Sequence, residues 1–270
     1  MTSLNYYIVD AFADKIFTGN PAGVCLLDEW LKDELMQNIA MENNLAETAF
    51  VVKRENHYDL RWFTPNIEID LCGHATLAGA FVVTTFLDKG ISEMNFHTKS
   101  GVLSVKNNND YLELDFPSRM PERIEVTPLM GHAIGVSVLE AHMSRDMLLL
   151  IENEEKLNGL QPDFSVIAEL PDCLGVIVTA KSDSVDFVSR FFAPNAGVPE
   201  DPVTGSAHST LIPFWAQSLN KDKMVAKQLS KRGGTLYCQN CGDRVKMAGQ
   251  AVLYLQGEIQ VPCESHIPGK

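Results

Sequence analysis

Two short segments place glycine and small polar residues where a helix should begin: Cys72-Gly73-His74-Ala75 and Thr204-Gly205-Ser206-Ala207. The first turn of a helix presents backbone N–H groups without intrahelical partners at the positive end of the helix dipole. Each start is therefore a favourable place for a small anion such as a carboxylate. The plainer reading is that the glycines only permit close packing at a strand-to-helix turn. Glu47, in Asn43-Asn44-Leu45-Ala46-Glu47-Thr48-Ala49-Phe50, stands where a helix ends and an apolar strand begins. Desolvated there, its carboxylate would bind a proton more tightly and could trade it with a carbon acid. Its plainer reading is a solvated loop acid. His74 could hydrogen-bond an enolate oxygen or relay a proton. Asp201, just before Pro202, could take part or could instead cap the following turn. His208 lies deeper in its helix and reads as a packing residue.

Periodicity supplies the elements that must position these groups. Tyr6 to Phe12, Gly23 to Leu27, Thr48 to Val52, Tyr58 to Phe63 and Tyr111 to Phe116 read as strands. Leu31 to Asn43 carries Leu35, Met36, Ile39 and Ala40 at amphipathic-helix spacing. Ala75 to Val83 is apolar nearly all round, the mark of a buried helix. The segment from Phe63-Thr64-Pro65-Asn66 to Cys72-Gly73-His74-Ala75 has an echo from Phe192-Ala193-Pro194-Asn195 to Thr204-Gly205-Ser206-Ala207. In each, an aromatic residue and a Pro-Asn turn lead to an acidic residue, a glycine and a helix, Ala75 to Leu87 or Ala207 to Leu219. A duplicated α/β (α+β) lobe follows, a curved, mostly antiparallel sheet wrapped on one buried helix. The Pro-bracketed connection Pro117 to Pro121 sets the expected boundary, 1–117 and 118–270, with room for the last strands to cross back. Facing lobes would bring both helix starts to one cleft. Trp62, Phe63, Phe191, Phe192 and Trp215 suit core and cleft equally.

Composition narrows the partners. The chain has 270 residues, 22 Lys+Arg against 35 Asp+Glu, and a net charge of −13. With no basic run to offset that charge, nucleic acid and anionic membranes are poor partners. No apolar stretch approaches the ~18 residues of a membrane span, and Met1 to Tyr7 lacks the features of a signal peptide. Six cysteines in this setting read as reduced cytoplasmic thiols rather than a disulfide framework. Cys238-Gln239-Asn240-Cys241 has the spacing of half a zinc site, with Cys263 the only further C-terminal cysteine. A hairpin turn explains it better, and no metal is expected.

The segments Asp10-Ala11-Phe12, Phe17 to Val24, Asn44 to Phe50, Cys72 to Ala78 and Glu200 to His208 together resemble the phenazine-biosynthesis PhzF-like family, and Gly242 to Val252 resembles its closing hairpin. The resemblance covers nearly the whole chain. It implies the diaminopimelate-epimerase fold, with two pseudo-symmetric lobes and the active site between them. It also implies cofactor-independent isomerisation by proton transfer at carbon, commonly in a homodimer. Glu47 would then be general base and later general acid. His74, Asp201 and Ser206 would orient substrate and relay protons, and backbone groups at Gly73 and Gly205 would hold a substrate carboxylate. Epimerases of this fold use one cysteine at each helix start. Here Cys72 stands in the first motif and Pro202 at the aligned place in the second, so a two-thiol mechanism cannot run. The leading expectation is a cytoplasmic isomerase of a small carboxylate metabolite. The alternatives are a racemase or epimerase pairing Cys72 with a non-cysteine group, and a binding protein without turnover.

Overall fold

The alternation Tyr58-Asp59-Leu60-Arg61-Trp62 buries Tyr58, Leu60 and Trp62 and leaves Asp59 and Arg61 partly exposed, the period of a strand with one covered face. Strands of this kind dominate the computed structural model, which describes residues 1–262. In chain order the first elements are β1 (Thr2–Ala11), β2 (Asn20–Leu27), α1 (Asp33–Asn43), β3 (Glu47–Lys53), β4 (Tyr58–Phe63), β5 (Glu68–Ile69), α2 (Gly73–Val82), β6 (Glu93–Thr98) and β7 (Gly101–Asn107). Next come β8 (Leu112–Pro117), β9 (Glu122–Ile124), α3 (Pro128–Ile134), β10 (Glu140–Met143), β11 (Met147–Leu150) and the short α4 (Glu154–Asn158) and α5 (Phe164–Ile167). The chain continues through β12 (Val176–Lys181), β13 (Phe187–Ala193), β14 (Val198–Asp201), α6 (Gly205–Leu219), β15 (Lys223–Gln228), β16 (Gly234–Asn240), β17 (Arg244–Gly249) and β18 (Ala251–Val261).

Two units emerge. One holds Met1–Ile16, Pro21–Leu112 and the chain from Gln250 onward; the other holds Phe17–Asn20 and Glu113–Gly249. In the first, β2 pairs parallel with β3, β3 antiparallel with β4, β4 antiparallel with β5 and parallel with β6, and β6 antiparallel with β7. The second repeats those pairings in the same order through β11, β12, β13, β14, β15 and β16. Duplication is thus written in strand register as well as in the Pro-Asn echo. Within the first unit β18 returns to pair antiparallel with β1 along that strand's whole length.

Each unit is built on one buried helix. In α2, Gly73 to Ala80 and Val82 are all buried. In α6 the buried set runs from Gly205 through Ala207–Ala216. Small side chains let both helices be covered on nearly every face, so neither shows a solvent stripe. The expected helix Ala75 to Leu87 is α-helical only to Val82; Val83–Leu87 form a π turn, closed by Asp88 N–H donating to the Val83 carbonyl at 2.8 Å. Pro213 lies inside α6, where it removes one backbone donor without ending the helix. Trp62, Phe63, Phe191, Phe192 and Trp215 are all at most 6% exposed, so they are core. The Cys238-to-Cys241 segment is the hairpin between β16 and β17: Cys238 is buried, Cys241 is exposed, and Gly242 takes the left-handed turn position at φ +80°. Cys263 lies outside the described residues. Among the described residues, no helix is long and apolar enough to cross a membrane.

Gly23 in β2 shows how tightly this packing is set. A Cβ there would lie 2.3 Å from the Tyr6 hydroxyl and 2.9 Å from Thr48 Oγ1, and Tyr6 is itself 2% exposed. Because the ring cannot move into solvent, Gly23→Ala should cost about 1–3 kcal/mol, read as a lower urea midpoint with an unchanged slope.

Candidate functional site

The first cluster forms where β3 begins and α2 starts. Asn44 ends α1 in the left-handed conformation, φ 49°, and three residues later Glu47 opens β3 beside Ala22 of β2. Glu47 Oε2 lies 3.0 Å from His74 Nε2, with side-chain exposures of 15% and 6%. On the other edge of the ring, His74 Nδ1 is 3.6 Å from Cys72 Sγ. Burial alone would pull the imidazolium down; the charges of Cys72 and Glu47 outweigh it and raise the His74 pKa well above its ordinary value. For Cys72, burial and the Glu47 charge push the thiol pKa up, although His74 pulls the other way. Cys72 is therefore a poor thiolate, which leaves the Glu47 carboxylate as the standing charge that favours a proton on His74. Ligand atoms of Glu47, Cys72 and His74 also lie within 4.8 Å of one another, a spacing that could hold a metal ion.

Gly73 and His74 are the first two residues of α2, and the N-cap residue Cys72 makes no side-chain capping bond. The start of α6 matches it position for position: Thr204 is the N-cap, Gly205 and Ser206 follow, and there too no side chain caps the helix. This helix frame corrects the alignment expected from sequence. Thr204, and not Pro202, stands opposite Cys72, because the second copy is three residues longer between its Pro-Asn turn and the helix glycine. Neither residue is a thiol. At neither helix start does the N-cap side chain make a capping bond, an arrangement that suits an anion.

In the second unit Asp201, the last residue of β14, accepts hydrogen bonds from Asn20 Nδ2 at 2.8 Å and from the Thr204 hydroxyl. It braces the N-cap residue of α6. Gln228 completes this brace, accepting from Thr204 N–H at 2.9 Å and donating to the Asp201 carbonyl at 2.7 Å. Ser206 Oγ accepts from Arg145 Nη2 at 2.9 Å, and the same guanidinium nitrogen lies 3.4 Å from Asp146 Oδ2. The Asp146 side chain is 1% exposed, and among the described residues neither oxygen has a donor in good hydrogen-bond geometry. Burial therefore raises its pKa, against the pull of Arg145 and Arg119. Arg145, Asp146 and Gln228 were not legible beforehand. They lie 61, 60 and 22 residues from Ser206 in sequence, in segments with no chemical motif. Asn20 had a signal, since Gly19-Asn20-Pro21 belongs to the recognised segment.

His208 is fully buried. Its Nδ1–H donates to the Thr204 carbonyl at 2.8 Å, while Nε2 has no hydrogen-bond partner among the described residues. Burial pulls its pKa down to about 4 from 6.5. A depressed imidazole pKa stabilises the fold above the unfolded value and loses that contribution as pH falls from 6.5 toward 4. The full loss is about 3 kcal/mol. Urea unfolding at pH 7 and pH 5 should show the wild type's advantage over His208→Gln shrinking in acid; a constant difference would refute the assignment.

So Glu47, Gly73 and His74 come together in one unit, and Asp201, Gly205 and Ser206 in the other. A hydroxyproline epimerase of Agrobacterium vitis shares the fold with a TM-score of 0.61 at 10% identity, over 95% of this chain and 92% of that one, which shows the fold alone. A Pseudomonas aeruginosa protein named as an isomerase is 50% identical over 258 residues, 96% of this chain and 99% of that protein. The crystal structure of a PhzF-family phenazine biosynthesis protein of Enterococcus faecalis superposes with a TM-score of 0.95 at 49% identity, over 96% of this chain and 100% of that one. Duplicated sheet-on-helix units with uncapped helix starts, together with these likenesses, define an isomerase of the epimerase-like fold class. The phenazine biosynthesis-like family model matches residues 9–257. The chain belongs to that PhzF family.

Proposed function

We propose that the protein isomerises a small carboxylate-bearing metabolite without a cofactor, with Glu47 as the acid/base. The observation that carries this is the Glu47–His74 pair, a partly exposed carboxylate 3.0 Å from a buried imidazole whose pKa is raised. Glu47 removes a proton from a carbon next to a carbonyl or double bond, the electron pair moves into an enolate, and the same carboxylate returns the proton at a second carbon. His74, held protonated, donates to the developing oxyanion. The N–H groups at Gly73 and Gly205 hold the carboxylate, while Asp201 and Ser206 orient the substrate and relay protons. Both motif sets act on one substrate molecule, and the working form is a homodimer, to be read by light scattering.

Isotope exchange tests the assignment. A panel of small carboxylates with an activated C–H is incubated in D2O, and deuterium uptake is followed by mass spectrometry. Uptake by wild type that vanishes in Glu47→Gln is expected; undiminished uptake would sink the role of Glu47. Ser206→Ala should also slow it. If Ser206→Ala left both binding and uptake untouched, the second motif set would have no part in the reaction. A second reading, a racemase using Cys72, draws on the contact between Cys72 and His74. It requires inactivation by thiol alkylation with protection by substrate, whereas full activity in Cys72→Ala is expected here.

A further inference from the structure

A second cluster of imidazole and carboxylate groups lies in the first unit, built from residues that the proposed reaction does not use. Asp59 in β4 and His97 in β6 are direct neighbours in the parallel β4–β6 pair, so both side chains leave the sheet on the same face. His57 stands two residues before Asp59, which returns it to that face, and the turn leading into β4 holds it through Arg54 N–H donating to the His57 carbonyl at 2.9 Å. The two imidazoles stack with centroids 3.8 Å apart and planes 19° from parallel. His57 Nε2 lies 3.1 Å from Asp59 Oδ1, and one ligand atom from each of the three residues falls within 4.8 Å of the others.

We propose that His57, Asp59 and His97 form a binding site for a divalent transition-metal ion of the zinc type. Ligand atoms held at ~2.0–2.1 Å around one tetrahedral ion sit roughly 3.4 Å apart. The His57–Asp59 pair already has that separation, and His97, exposed on β6, has room to turn its ring toward them. Two imidazoles and one carboxylate select zinc, nickel or copper over magnesium and calcium, which require an oxygen shell. The carboxylate is also oriented from behind. Arg54 Nε donates to Asp59 Oδ2 at 2.7 Å, which leaves Oδ1 as the single ligand oxygen facing the histidines. The remaining coordination positions face solvent, and the Arg54 charge offsets that of Asp59. The site is therefore suited to exchangeable binding rather than to a permanent structural centre.

The test uses the full chain, stripped with chelator, and equilibrium dialysis against zinc chloride with magnesium chloride as the control. His57→Ala and His97→Ala should each weaken zinc binding by about tenfold or more, and the double variant should lose the rise in melting temperature that zinc gives the wild type. Magnesium should give neither effect. Because Glu47, Cys72 and His74 offer a competing cluster, cobalt replaces zinc in a second measurement. Visible bands without thiolate absorption in the near ultraviolet, absent in the double variant, are expected. Zinc binding of wild-type affinity in the double variant, or a thiolate band that persists there, would overturn the proposal. These positions are exposed or partly exposed, so the metal-free variants should melt close to wild type. A variant that melts early is replaced by His97→Gln, which keeps the polar surface and must show the same loss of zinc. Neither result bears on Glu47.

Discussion

Glu47→Gln should lower kcat by about 10²–10⁴-fold while KM stays near the wild-type value. The amide has the size of the carboxylate but cannot accept a proton from carbon, so the loss falls on the chemical step and not on binding. A second, independent signature should accompany it. The carboxylate is one of the two groups that hold the His74 pKa up against burial, so its removal should lower the titration midpoint of His74, read from its imidazole NMR signals. Glu47→Asp keeps the charge and withdraws it by one methylene. It should preserve most of the His74 midpoint yet lose much of the rate, because a general base must reach within hydrogen-bonding distance of the proton it takes. A Glu47→Gln enzyme that turned over at the wild-type rate would remove Glu47 from the chemistry, whatever happened to His74.

The largest stability effect is expected at Arg145. Its guanidinium is the ion-pair partner of Asp146, whose carboxylate is buried and, among the described residues, meets no donor in good hydrogen-bond geometry. Arg145→Met leaves that carboxylate without its nearest counter-charge. Breaking a buried pair from one side costs ~3–5 kcal/mol. Arg145 is one-third exposed and Arg119 also acts on Asp146, so about 2–3 kcal/mol is expected. The variant should bind protons at Asp146 more readily, so its deficit should narrow at lower pH. In the double variant Arg145→Met with Asp146→Asn the stranded charge is gone, and much of the loss should be recovered. Denaturant unfolding of the four proteins in this cycle measures the coupling directly. Strictly additive losses would mean that the two groups do not support one another. Arg145 also donates to Ser206, so Arg145→Met should slow isotope exchange by an amount that Ser206→Ala does not increase further.

His74 and His208 show why net pH stability needs variants to interpret. The raised pKa of His74 contributes stability that is complete below its unfolded value and is lost as pH rises through its folded value. His208, with its depressed pKa, contributes in the opposite sense. The His208 contribution falls off below pH 6.5 and the His74 contribution falls off above it, so replacing either histidine flattens the stability profile on its own side.

Local signals in the sequence determined much of this protein. Alternation placed β4 on Tyr58–Phe63, an all-apolar run placed the buried helix α2, and the Pro-Asn echo revealed the duplication and with it α6. Each depends on residues close in sequence, whose side-chain period is set by the geometry of the strand or helix itself. The glycines at the two helix starts were legible for the same reason. Tertiary structure alone decided what faces those starts. Arg145 reaches Ser206 across 61 residues of chain, and Gln228 reaches Asp201 through a pairing between β13 and β15. Nothing in the identity of a glutamine or an arginine records which distant strand will present it. The same holds for His57, Asp59 and His97, which carry no motif as a string and meet only because β4 and β6 pair in one register. A one-residue slip would turn His97 to the opposite face.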